Sequence, residues 1–162
     1  MTIQEIKNYL KKHSFLVFRF QSEYYSLERI HSPFCVQYRL IATDSLPEQR
    51  NSLEELCEQV YICDGTLLSE AIGHMESPKW NDPSWETYEA VRHGAIVHGN
   101  EIHFQYNQRY YWITCTSDGV AHFIDDLGNT QDFNSCRDLF AYVRINGHTL
   151  KDIWNEVIVD AC

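Results

Sequence analysis

Histidine, cysteine and paired carboxylates carry most acid–base, nucleophilic and metal chemistry in proteins, and this chain has eight histidines in 162 residues. His74, His93, His98 and His103 lie close together in the sequence, and His122 can join them from a following strand. A zinc centre needs three or four ligands converging at about 2 Å, usually from close helical or knuckle spacings. His98-x4-His103 crosses the entry to a strand, and His93 flanks a helix end, where imidazole suits the dipole. Neither is a ligand signature, so no metal and no cofactor is expected. Cysteine–histidine hydrolysis would need Cys115 or Cys35 beside a histidine in space. Cys115 falls on the apolar face of its strand, which predicts a buried and inert thiol. Asp125-Asp126 is an adjacent acidic pair, and its plainest role is a solvated strand end before a turn. GxSxG, HExxH, paired-cysteine and glycine-rich phosphate motifs are all missing from the sequence.

The elements that would position these groups are stated twice. Phe18–Leu27 (FRFQSEYYSL) lies under Phe104–Ile113 (FQYNQRYYWI) at an offset of 86. Ser52–Leu67 lies under Ser135–Leu150 at an offset of 83, matching Leu56 with Leu139, Val60 with Val143 and Ile62 with Ile145. Thr2 and Glu5 form a capping-box pattern ahead of Ile3, Ile6 and Leu10 at helical spacing. Two strands follow, with Ser22-Glu23 as the expected turn, Phe20 facing Tyr25 and Phe18 facing Leu27. Phe34–Ile41 alternates as a third strand, Thr43–Arg50 reads as a loop, and Ser52 with Glu55 opens a second helix. A short helix capped by Thr66 runs to Gly73.

In the second half, Asp82-Pro83 is expected to start a helix that Gly94 stops. A hairpin turning at Asn107-Gln108 then puts His103, Gln105, Tyr110 and Trp112 on one face. Ile102, Phe104, Tyr111 and Ile113 take the other. Val120–Asp125 is the third strand. Ser135 caps a helix carrying Leu139, Phe140 and Val143, and Thr149 caps a last one carrying Leu150, Ile153, Trp154 and Val157.

The expected fold is therefore α+β: a tandem duplication of an α-β-β-β-α-α unit, with antiparallel sheets, helices packed on one face and halves related by a pseudo-twofold axis. Residues 1–77 form the first repeat, 78–83 a proline-bearing linker and 84–162 the second, with one fused core expected because each half alone buries little surface.

Net charge is −10. Cut between Lys79 and Trp80, the first part carries 8 basic and 11 acidic residues (−3) and the second 5 and 12 (−7). That balance opposes direct binding to nucleic acid or an anionic membrane and permits docking onto a basic protein surface. No apolar run spans a bilayer, the N-terminus is amphipathic rather than a leader, and the six cysteines contain no CxxC pair. A cytoplasmic protein with reduced thiols is expected.

Tyr110 and Trp112, if exposed, are the usual anchors of a protein interface; if the other half covers them, they are core. With His103, Asp118, Asp125 and Asp126 they are the expected binding residues. Two functions follow. One is a small non-catalytic inhibitor of a bacterial nuclease or toxin, occupying a basic surface, with its oligomeric state open. The other is a small hydrolase or metal-dependent enzyme built from His, Cys and Asp of the second half. The I-x-G-x-T-L-x-x-I-W pattern over Ile145–Trp154 resembles small proteins of bacterial mobile elements. It covers a generic helix start and names no family. Within the binding class it implies an anti-defence protein, such as an inhibitor of a CRISPR nuclease, or an immunity protein.

Overall fold

The computed structural model describes residues 1–75, 86–116 and 118–161. The expected linker, Trp80, Trp85 and the Asp82-Pro83 cap lie outside the described residues. The chain divides into two compact units, Met1–Trp80 and Asn81–Cys162. Each is α+β with an antiparallel sheet. Among the described residues no helix is long and apolar enough to cross a membrane.

In the first unit, α1 (Ile3–His13) starts at the expected capping box: the Glu5 N–H donates to Thr2 Oγ1 and the Thr2 N–H to Glu5 Oε2. The strands β1 (Phe15–Phe20), β2 (Glu23–His31), β3 (Val36–Ala42) and β4 (Glu48–Arg50) pair in that order. The first hairpin turns at Gln21-Ser22, one residue earlier than expected, so Phe18 faces Tyr25 and Leu16 faces Leu27. Gln21 takes the left-handed backbone, φ 56°, that a tight hairpin turn demands. A register shift of two keeps every side chain on its own face, which is why the apolar pattern could not tell the two registers apart. β4 forms inside the stretch expected to be a loop. Helices α2 (Leu53–Gln59, capped by Ser52) and α3 (Leu68–Ala71) bury Leu53, Leu56, Leu68 and Ala71 against Phe18, Leu27 and Leu40. Thr66 does not cap α3; its hydroxyl is turned to Asp64 instead. On the opposite face of the same sheet Tyr24, Ser26, Ile41 and Thr43 are buried as well.

In the second unit, α4 (Tyr88–His93) is capped by Thr87 and does not stop at Gly94. Gly94 keeps right-handed helical angles and opens a π turn over Gly94–His98, which ends at Gly99, φ 69°. A side chain at position 94 would stand 3.0 Å from Asn100 Nδ2, so glycine serves close approach here rather than termination. The sheet runs β5 (Ile102–Tyr106), β6 (Arg109–Cys115), β7 (Ala121–Asp125) and β8 (Thr130–Phe133), with β11 (Ile158–Ala161) beside β5. β8 and β11 had no counterpart in the expected three-stranded sheet. α5 (Cys136–Tyr142, capped by Ser135) leads to a short ladder of β9 (Arg144–Ile145) and β10 (His148–Thr149). α6 (Leu150–Ile153) then starts at a capping box of Thr149 and Asp152 and passes into a 3-10 turn over Trp154–Glu156. Val157 therefore lies beyond the helix that was expected to include it. Helix side chains Val91, Leu139, Phe140, Leu150 and Ile153 share one buried cluster with Phe104, Ile113 and Phe123. The Trp154 indole N–H donates to the Glu86 carbonyl at 2.9 Å, satisfying the polar edge of a buried ring.

Candidate functional site

The candidate site is the face of the second sheet opposite those helices. It depends on the β5–β6 hairpin, which turns at Asn107-Gln108 as expected; φ values of 51° and 61° give the double left-handed turn that matches strand twist. Strict alternation then decides the two faces. Phe104, Tyr111, Ile113, Ala121 and Phe123 are buried on the helix side, while His103, Gln105, Trp112, Thr114, His122 and Ile124 are half-exposed on the other. Register sets His103 opposite Trp112 and Trp112 opposite Ile124, so these three lie in one row across the strands. The His103 and Trp112 rings meet edge to face at 6.3 Å. Tyr110, in the next row beside Gln105, is 47% exposed and is not a core residue.

The acidic residues do not join this patch. Asp125 ends β7 in register with Tyr111, on the helix side, and Arg109 shares that side. Asp125 Oδ1 accepts the N–H groups of Leu127 and Asn129 at 3.0 and 2.9 Å, and its Oδ2 accepts Asn129 Nδ2 at 2.9 Å. It closes the β7–β8 turn, and these bonds hold its carboxyl below the usual range, the Asn129 side chain first. Asp126 is lowered by Arg109, whose Nε and Nη2 donate to its Oδ1. Asp118 accepts the Thr116 hydroxyl in the β6–β7 turn, which lowers its pKa. That turn lies at the other end of β6, roughly 20 Å from Arg109 at strand rise. The expected six residues thus form one aromatic–imidazole row with Tyr110 beside it, and two separate turn-closing carboxylate groups.

Three residues absent from the expected set belong to this face or its edge. Asp132 sits opposite His122 in β8, with Oδ1 2.7 Å from His122 Nδ1. Glu101 stands 4.0 Å from His103 Nε2. Ile124 completes the row. The alternation of β7 alone would have placed Ile124; Asp132 was hidden because T-Q-D-F is too short to read as a strand after a turn.

Cys115 lies on the helix side, paired with Ala121, whereas His122 faces the other way. Cys115 is half-buried rather than enclosed, and a hydrogen bond with the free Cys136 thiol lowers its pKa. His93 is 1% exposed and packs edge to face on His98; burial, with the nearby His98 and Arg92, lowers its pKa to about 4. Among the described residues no group of three or more His, Cys, Asp or Glu side chains is placed to hold a metal ion. The chain matches no protein-family model, no curated protein and no solved structure.

Proposed function

We propose that this is a small, acidic, non-catalytic cytoplasmic protein that works by binding another protein. In its most concrete form it is an inhibitor of a bacterial nuclease or toxin, an anti-defence or immunity protein, that occupies a basic surface used for nucleic acid. The observation that carries this reading is the row His103–Trp112–Ile124 with Tyr110 beside it, aromatic and apolar, on the sheet face opposite the helices. Half-exposed Trp and exposed Tyr on a regular sheet suit a desolvated anchor, and a net charge of −10 suits a basic partner. Glu101 and Asp132 supply carboxylates at the edge of that face. Co-purification from the native host, with and without added DNA or RNA as competitor, tests it. Displacement of one nuclease or toxin by nucleic acid is expected; a partner held equally in the presence of competitor sinks the mimicry.

The same reading includes descent by tandem duplication, with the halves related by a pseudo-twofold axis. Matched burial supports it: Phe18 and Phe104, Leu27 and Ile113, and Leu56 and Leu139 are each fully buried. Ser52 and Ser135 each cap the helix after the sheet. The bridge Tyr61↔Leu67 recurs as Arg144↔Thr149, with the intervening turn one residue shorter, which moves the offset from 83 to 82. Superposition of 15–72 on 100–158 in an experimental structure tests the duplication; helices placed differently on the two sheets would end it.

A further inference from the structure

In the first unit a groove of about 360 Å³ opens where the strand ends meet the turn after α2. Tyr25, Leu40, Val60 and Ile62 floor it and are buried. The Tyr25 hydroxyl accepts the Cys63 N–H at 3.1 Å, which fixes the turn against β2 as a wall. Leu46 and Tyr61 stand at its rim, 89% and 65% exposed.

Three carboxylates share this mouth. Tyr25 pairs with Ala42, and Leu40 pairs with Glu48. Glu23 is two residues before Tyr25 in β2, so strand alternation sends the Glu23 and Glu48 side chains to the helix side, and Asp44, in the turn after β3, lines the same groove. Among the described residues no Lys, Arg or His lines the groove; Arg50, outside it, lies 3.2 Å from the exposed Glu48 carboxylate. The carboxylates do not converge as a metal-binding trio. Negative charge spread around an apolar floor suits a guanidinium or ammonium carried on an apolar stem rather than a bare ion. The volume lies at the lower end of the range of small-ligand pockets and is enough for a long cationic side chain and an apolar neighbour.

We propose that this groove docks a segment of the basic partner protein that presents an arginine beside an apolar residue. The proposal rests on the reading that the chain binds a basic protein, and it adds a second contact, on the first unit, with its own chemistry. The test is a ¹⁵N NMR titration with the blocked peptide Gly-Leu-Arg-Leu-Gly and with the same peptide carrying citrulline, which keeps the shape and loses the charge. Saturable shifts confined to amides 23–25, 40–48 and 60–63 are expected, with the citrulline peptide about fivefold weaker. The double variant Glu23→Gln/Glu48→Gln, confirmed folded by its amide spectrum, should weaken the arginine peptide by about the same factor. Shifts that do not saturate, that fall elsewhere, or that are equal for the two peptides overturn the groove. Because the probe is a peptide, its outcome is independent of the second sheet. Groove binding together with an unchanged partner complex in Trp112→Ala would sink the aromatic face and leave the groove standing. The converse would sink the groove alone.

Discussion

Arg109 grips Asp126 through Nε at 2.9 Å and Nη2 at 2.5 Å, and does so on the helix side of β6, while Tyr110 and Trp112 face the other way. The guanidinium also lies 3.3 Å from Asp125 Oδ2 and 5.9 Å from the Tyr111 ring. This adjacent acidic pair is thus partly neutralised by its own hairpin. Asp126→Asn should cost little stability, since solvent screens an exposed ion pair. Asp125→Ala should cost more, because two backbone N–H groups lose their acceptor. Urea unfolding of the two variants checks the order; equal costs would mean Asp125 does not hold the turn.

Leu139→Ala should destabilise by about 2–5 kcal/mol, through lost burial plus the cavity left behind. Leu139 is fully buried one turn from the start of α5 and shares its cluster with Phe104, Ile113 and Val143. The equilibrium unfolding midpoint measures this, and a cost below about 1 kcal/mol would contradict the packing.

These helix faces were legible because two signals agreed: a serine cap and apolar residues at helical spacing fix both the start of α5 and its inward face. The hairpin faces were legible for the same kind of reason, since period two is the same in any register shifted by two. The turn itself was not. Gln21 adopts a left-handed backbone that nothing in its side chain advertises, whereas Asn107 announces it. Gly94 read as a helix stop because its sequence context hides Asn100, the side chain it must admit. β4, β8 and β11 are three or four residues long and carry too few alternations to register. The site was half legible. The row of His103 and Trp112 follows from alternation, and the helix-side position of Asp125 follows from the same period read along β7.

Stability should fall as pH drops from 6.5 to 4, and His93 should be the cause. Its folded pKa of about 4 lies below the value of 6.5 for a free imidazole. Between the two, the unfolded chain takes up a proton that the native one refuses. The contribution is complete above pH 6.5 and is lost on the way down, in total on the order of 3 kcal/mol. The carboxylates with lowered pKa, such as Asp125 and Asp152, begin to cost stability only nearer pH 4. Urea unfolding between pH 7 and 5 therefore isolates the histidine. His93→Gln should flatten that slope; a slope left intact would assign it to another group.

Trp112→Ala separates the anchor from the fold. Trp112 lies on the half-exposed face, in register with His103 and Ile124, and outside the buried cluster of Phe104 and Phe123. Its loss should cost less stability than Leu139→Ala, whose side chain is fully buried in that cluster. If it anchors the partner, the same change should speed dissociation by an amount worth about 2 kcal/mol or more, the scale of an aromatic hot spot. Asp132→Asn at the edge of the same face should act differently, slowing association and flattening its dependence on salt, because rim charges steer encounter more than they hold the complex. Surface-binding kinetics with the purified partner at two salt concentrations resolve the two effects. Wild-type kinetics in both folded variants would remove this face as the interface. A slower association for Trp112→Ala with unchanged dissociation would show that the ring guides encounter without being buried.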